Sequence, residues 1–525
     1  MKKKIFLIIF FIIGLILLPG RVEDTWNHSF KKISAMVSII DENYYREINH
    51  EERAYASIRG MLQTLDPHSY FLKPGYFTRL QEEYKGKYSG LGILIQKQED
   101  RLVVISPLEG TPAYRLGIQG GDVISHINGE STKPISSIDA VQKLRGPKGS
   151  KVNITIVRDG LEKPLELTIV RAEIPLYSVP YSFMLKEDIG YIFIRNFAET
   201  TTREFEKKMD SLIKQGMKSL ILDLRGNSGG VFSKSLELSD EFLPKGAKIV
   251  SIKGRRSYYN RELRAGNDDQ YEKIPLVILI NRATYSASEI VSGAVKDNDR
   301  GLIVGESSWG KGLVQTVFPL LPDSAVALTT ARYFTPSGRS IQRDYTNIED
   351  YRYSKAIPET EREVRYTSGG RRVLGQGGIS PDYEVKFSYQ TLTADLLLRG
   401  EFFTYGRKFA SRATPLSKKY IFPKKQDVKI KDSTKKAIIL KDFIVNSEIL
   451  EDFKYYLHEK KIEFESDKFV KAKKEIIREL EREIYSSLLG IEEGIKVYRK
   501  SDPVVLKAIE VFPEARTLVK KEEQK

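Results

Sequence analysis

In Leu276-Val277-Ile278-Leu279-Ile280-Asn281-Arg282-Ala283-Thr284-Tyr285-Ser286-Ala287-Ser288-Glu289, five unbroken apolar residues run through a polar turn into helical spacing. A strand with no polar alternation is buried on both faces, as in a parallel sheet covered by helices. Residues 286–295 continue as an amphipathic helix and residues 302–305 as the next strand. Upstream the unit repeats: a strand over 189–194, a helix over 202–214, and a strand over 220–224 ending in Arg225-Gly226-Asn227-Ser228-Gly229-Gly230. This alternation over 174–387 predicts an α/β core.

Away from the core the pattern changes. Residues 85–173 carry short β-type runs, glycine turns and one helix over 136–145. Asn128-Gly129 and Asp159-Gly160 supply positive φ for tight hairpins, while Val152, Ile154 and Ile156 alternate as one buried face. Over 22–84, Phe30, Ile33, Val37, Ile40 and Tyr44 recur at helical spacing, and Leu65-Asp66-Pro67-His68-Ser69 punctuates the helices as a turn. Residues 388–525 are Lys/Glu-rich, with helical runs over 450–460 and 469–488. Amphipathic faces there serve equally to cover the core or to join copies into a homo-oligomer.

The first 20 residues read as a targeting segment. Lys2, Lys3 and Lys4 precede an apolar run over 5–18, closed by Pro19-Gly20. At 1.5 Å per residue that run reaches only about 21 Å, short of a hydrocarbon core near 30 Å. This suits a signal peptide, but no clean small-x-small site precedes Arg21, so retention as an inner-membrane anchor stands beside cleavage. Either version expects the remaining chain to be exported to the periplasm or cell envelope.

The whole chain has 525 residues, 41% hydrophobic and 30% charged, which excludes a disordered or multi-span protein and leaves room for several domains. The absence of cysteine excludes disulfides, thiolate metal sites and a cysteine nucleophile. The net charge of +15 would suit anionic partners, yet no nucleic-acid motif accompanies it, and it reads as a diffuse solvated surface. His28, His50, His68, His126 and His458 show no metal-ligand spacing and offer no base for a Ser-His-Asp triad. Each reads better as a buried or solvated side chain. No metal and no organic cofactor are expected.

Chemistry concentrates at the strand-helix junction. Ser286 stands where unsatisfied helical N–H groups and the positive dipole end could stabilise an oxyanion, with the Ala287 N–H as donor. Gly229-Gly230 ends a neighbouring strand, and glycine backbone can approach closely there, which makes the Gly230 N–H the candidate second donor. Taken alone, a serine before a helix is an N-cap. Lys311, between two glycines in Trp309-Gly310-Lys311-Gly312-Leu313-Val314-Gln315, changes that balance. Buried beside Ser286 it would lose affinity for its proton and serve as the missing base. Gln315 shares its strand face, but four residues of straight strand span about 13 Å. A bend at Gly312 is required before the Gln315 carbonyl could hold the amine. The pattern lacks the G-x-x-x-x-G-K-[ST] spacing of a phosphate loop.

These stretches, with Val304-Gly305-Glu306 and Thr330-Ala331-Arg332-Tyr333-Phe334-Thr335-Pro336-Ser337-Gly338-Arg339, resemble the carboxyl-terminal processing peptidases, or tail-specific proteases. The resemblance implies a crotonase/ClpP-like α/β protease core, with Ser286 as nucleophile, Lys311 as general base and Gln315 in support. It assigns the oxyanion donors to the N–H groups of Ala287 and Gly230. Tyr285 departs from the pattern, which usually has a smaller residue there. The β-rich stretch resembles a PDZ domain through Ser89-Gly90-Leu91-Gly92-Ile93 and Leu116-Gly117-Ile118-Gln119-Gly120-Gly121-Asp122. A loop at Gly90, Leu91, Gly92 and Ile93 would hold a terminal carboxylate, and the strand after it would pair with a peptide beside a helix bearing Ile138, Val141 and Leu144. The expected protein is a multidomain α/β enzyme with helical N- and C-terminal regions. Its divisions are expected at 1–20, 22–84, 85–173, 174–387 and 388–525. It would bind proteins with accessible apolar C-termini and cleave them through a Ser-Lys acyl-enzyme. The rival reading is an inactive PDZ scaffold that binds such ends without cutting them.

Overall fold

In the computed structural model, strands Tyr181–Met184, Ile189–Phe193, Ser219–Asp223, Leu276–Ile280, Leu302–Gly305 and Tyr383–Glu384 lie side by side in that order. The structure describes residues 21–266, 271–320, 323–353, 357–420 and 443–522, so the targeting segment over 1–20 lies outside the described residues. The first pair of strands is antiparallel and the others are parallel. Every residue of Ser219–Asp223 and Leu276–Ile280 is buried, because helices cover both faces of the sheet. Phe205, Met209, Leu238, Ile290 and Val291, from helices Thr201–Lys214, Phe232–Asp240 and Ala287–Asp297, fill one side. Val504, Val505, Ala508 and Phe512, from helices Pro503–Glu510 and Phe512–Glu522, pack on Tyr191, Ile221, Val277 and Leu279 on the other. The last two C-terminal helices therefore cover the core, while Leu396, Phe402, Phe409, Phe453 and Ile476 from the helices before them belong to a hydrophobic cluster of their own.

Simple strand-helix alternation misses a second, antiparallel sheet. Tyr70–Leu72, Ser324–Phe334, Lys248–Gly254 and Arg261–Arg264 form it, with Leu313–Leu320 paired to Ser324–Phe334 as a long hairpin. The β-rich module is a separate antiparallel sheet of Ile93–Gln98, Arg101–Pro107, Val123–Ile127, Lys151–Val157 and Leu165–Val170, with Glu130–Ser131 at its side. Val152, Ile154 and Ile156 are buried on one face of it. Asn128 and Gly129 both take left-handed backbone, φ 50° and 83°, in the two-residue turn before Glu130–Ser131. The expected tight hairpin at Asp159-Gly160 is not formed. Only Gly160 has positive φ, and the connection between Lys151–Val157 and Leu165–Val170 is several residues long. Lys87–Gly90 pairs with Ala172–Pro175 and ties the module's two ends together.

The described residues up to Leu65 form a unit of their own. It holds helices Arg21–Asn43 and His50–Leu62, the second capped by Asn49, which accepts the Glu52 N–H at 3.0 Å. Asp41 and Arg53 join the two helices.

Candidate active site

The helix predicted to start at Ser286 starts at Ala287, and Ser286 precedes it with φ 63° and ψ −120°. An ordinary N-cap residue has extended backbone, so this is not simple capping. Such a conformation costs about 1–3 kcal/mol in a residue with a side chain, and tolerable strain of this kind gathers at functional sites. Two neighbours hold it. Asn227 accepts the Tyr285 N–H at 3.1 Å and the Ser288 hydroxyl at 3.0 Å on its carbonyl. Glu289, buried three residues on, accepts the Ser286 N–H at 2.9 Å.

Glu289 also fixes the lysine. The oxygen that takes the Ser286 N–H, Oε2, accepts the Lys311 N–H, again at 2.9 Å. Its other oxygen accepts the Gly310 N–H at 2.7 Å and the Ser308 hydroxyl at 2.5 Å. One carboxylate atom thus draws together the backbones of two residues far apart in sequence. Burial raises the Glu289 carboxyl, and its four donors pull the other way. Burial likewise lowers the Lys311 amine to about 8, against the opposing charges of Glu289 and Asp66.

Ser286, Lys311, Gln315 and Gly230 line one cavity of about 610 Å³, and Ala287 is buried directly behind Ser286. Gly229 makes the approach possible. A Cβ there would stand 2.9 Å from the Ser286 Cβ and 3.0 Å from the Ala287 nitrogen. A Cβ on Gly230, at φ 141°, would collide with the Phe197 carbonyl oxygen at 2.0 Å. The bend expected at Gly312 is distributed: the strand begins at Leu313, and its pairing register shifts between Val314 and Gln315. The Gln315 amide nitrogen donates to Thr329 Oγ1 at 3.3 Å.

Gly90, Leu91, Gly92, Ile93, Ile138 and Val141 do not line this cavity and sit in the β-rich module. Leu91 is buried in the module core, so only its backbone is available to a ligand. Helix Ser137–Leu144 packs beside strand Ile93–Gln98, with Ile138 53% exposed and Val141 half-buried. Arg145 stacks over the Tyr88 ring at 4.5 Å.

Sequence reasoning passed over four contributors. Glu289 carries a local signal, since an acid three residues after a serine is capping-box spacing. Asn227 and Thr329 carry none. His68, read as a turn residue, lines the cavity, and burial followed by the Lys311 charge lowers its imidazole to about 4. Its Nε2 hydrogen-bonds the Tyr351 hydroxyl. Among the described residues no group of three or more His, Asp or Glu side chains is placed to hold a metal, and no helix is long and apolar enough to cross a membrane.

Comparison with known proteins finds a match to the model of peptidase family S41 over residues 188–350 and to a PDZ domain over residues 103–158. A carboxy-terminal-processing protease of Bartonella bacilliformis is 36% identical over 420 residues, covering 75% of this chain and 96% of that protein. The carboxy-terminal processing protease CtpA of Bacillus subtilis is 32% identical, covering 67% and 76%. A solved photosystem II D1 C-terminal processing protease is 28% identical, covering 70% of this chain and 90% of its own, with a TM-score of 0.37.

Proposed function

The chain belongs to peptidase family S41, and from that premise we propose that it is an exported serine endopeptidase working through Ser286 and Lys311. The observation that carries this reading is the shared Glu289 oxygen, which holds both backbones at the rim of one cavity. The neutral Lys311 amine takes the Ser286 proton as the hydroxyl oxygen attacks the peptide carbonyl. The negative oxygen of the tetrahedral intermediate accepts from the N–H groups of Ala287 and Gly230. The lysine ammonium then protonates the leaving amine, and the acyl-enzyme remains. Water, giving its proton to the same amine, releases the acid product. Gln315 keeps Lys311 in place without adding a negative charge that would hold its proton.

Substrates are proteins, taken up by their C-termini. The terminal carboxylate docks on the loop Gly90-Leu91-Gly92-Ile93, and the chain pairs with strand Ile93–Gln98. Exposed Ile138 and half-buried Val141 favour apolar ends. Export rests on the basic start and apolar run over 5–18. The test is mass spectrometry of products from a protein substrate with an apolar C-terminus. Ser286→Ala and Lys311→Met should each lose about a thousandfold or more in turnover and retain C-terminal peptide binding. Full turnover in either variant refutes the dyad, and binding without cutting by the unaltered chain favours a scaffold.

A further inference from the structure

Asp66-Pro67-His68-Ser69 supplies a side of the cavity that the Ser-Lys chemistry leaves unused, and it is fastened to the strand opposite Gln315. Asp66 Oδ1 accepts the N–H groups of His68 at 2.8 Å and Ser69 at 2.9 Å, and Oδ2 accepts the Ser69 hydroxyl at 2.7 Å. Oδ1 also accepts the Thr329 hydroxyl at 3.0 Å, and Ser69 Oγ accepts the Thr329 N–H at 3.1 Å. Thr329 faces Gln315 across the hairpin, and its hydroxyl oxygen accepts the Gln315 amide nitrogen.

The direction of this chain follows from proton counting. A carboxylate only accepts, so the single hydroxyl proton of Thr329 goes to Asp66. Toward Gln315 the hydroxyl can then only accept, which commits the NH2 end of the amide to Thr329. The amide oxygen is the end left for the lysine. We propose that Asp66 is a positioning residue for the dyad: through Thr329 it orients the Gln315 amide so that the oxygen is free to hold the Lys311 amine. The inference rests on the Ser286–Lys311 reading.

Several groups bear on Lys311. Glu289 from helix Ala287–Asp297 and Asp66 supply the opposing charges, and His68 faces it from the same loop as Asp66. Glu83 and Tyr84 from helix Pro74–Lys85, Tyr70, Tyr285 and Tyr333 complete the titratable lining of the cavity. Asp66→Asn keeps the Oδ1 acceptor of the His68 N–H, the Ser69 N–H and the Thr329 hydroxyl, removes the charge, and places an NH2 group where Oδ2 took the Ser69 hydroxyl, which must then turn to accept. Thr329→Val removes only the hydroxyl relay.

The test measures pH profiles of kcat and KM together with thermal unfolding for these variants and for Thr329→Ser. Thr329→Val should lose about tenfold or more in kcat, with KM within about twofold and unchanged melting, and Thr329→Ser should stay within about threefold of the parent. Asp66→Asn should move the rising limb of kcat/KM to lower pH, because an anion that favours the ammonium has gone. The inference is overturned if Thr329→Val turns over like the parent, if Thr329→Ser is as impaired as Thr329→Val, or if the Asp66→Asn limb stays in place. Ser286→Ala and Lys311→Met separate the two readings. Turnover by either overturns the dyad itself, whereas two dead variants beside a fully active Thr329→Val overturn only the role of Asp66.

Discussion

Lys311 can take a proton only when neutral, and burial brings its amine from 10.5 down to about 8. Under the proposed mechanism kcat/KM therefore rises about tenfold per pH unit on the acid side and levels off above about pH 8. A flat profile between pH 6 and 9 on a peptide substrate would count against Lys311 as base. For stability the same shift is a cost. The fold binds fewer protons at this site than the unfolded chain between about pH 8 and 10.5, so stability rises with pH in that window. Below about pH 8 the full cost of burying an ammonium is present. Lys311→Met removes that cost with a side chain of similar length, and it should be inactive yet melt at a higher temperature at pH 7. The gain should shrink as pH approaches 10.5. A lower melting temperature at pH 7 would mean that Glu289 and Asp66 more than compensate the buried charge.

Helix Ala287–Asp297, the loop before strand Leu313–Leu320 and the glycine turn after Ser219–Asp223 meet through single atoms, so substitutions there act on elements. Each Glu289 oxygen accepts two donors. In Glu289→Gln the NH2 group confronts either the N–H pair of Ser286 and Lys311 or the Gly310 N–H beside the Ser308 hydroxyl, so at least one N–H is opposed whichever way the amide turns. That leaves buried donors unmet at about 1–3 kcal/mol each. Urea denaturation should show a loss of about 2–5 kcal/mol, with turnover falling further than stability explains; an unchanged midpoint would disprove the bridge. Gly229→Ala would force a Cβ against Ser286 and Ala287 at φ 86°. Displacing an oxyanion donor costs about 10²–10³-fold in kcat, and a variant within tenfold of the parent would exclude Gly229 as the spacer. This scale also shows what the sequence makes legible. The Leu276–Ile280 strand and the helix after it are local patterns, as is the alternation of Val152, Ile154 and Ile156. Ser286 and Lys311 stand out because a lysine between glycines has no local purpose. The contacts of Asn227 with Tyr285, and of Asp66 with Thr329, join residues that only the folded sheets bring together. No periodicity announces them. The hairpin Leu313–Leu320 with Ser324–Phe334 is hidden for a related reason: most of Leu313–Leu320 is only half-buried or exposed, so its apolar signal is weak.

Across the whole molecule, the C-terminal helices reach the turn that carries Gly230 through buried charge. Arg225, which opens the glycine turn leading to Gly230, pairs with Asp223 at 2.6 Å and with Asp502 at 2.8 Å. Arg499 pairs with Asp502 at 2.8 Å and donates to the Tyr191 hydroxyl at 2.9 Å, and that hydroxyl donates to Asp223 at 2.7 Å. Two guanidinium groups and two carboxylates are thereby balanced at the seam between sheet and helices. Burial alone would raise the Asp502 carboxyl, but Arg225 and Arg499 bring it below its usual 3.8. Its contribution is therefore present above that pH and lost as acid protonates it. Asp502 also caps helix Pro503–Glu510, accepting the Val504 N–H at 3.0 Å. Asp502→Asn keeps a capping oxygen but leaves both arginines to share Asp223. Uncompensated buried charge of this kind costs about 3–5 kcal/mol, and Asp502→Ala should cost about 1 kcal/mol more through the lost cap. Because Arg225 anchors the turn that carries Gly230, Asp502→Asn should also lower kcat under conditions where it remains folded. Denaturation midpoints and turnover measured on the same preparations decide the matter. A variant that unfolds like the parent would show the charged seam to be dispensable. One that loses stability but not turnover would show that the helices cover the core without governing the turn.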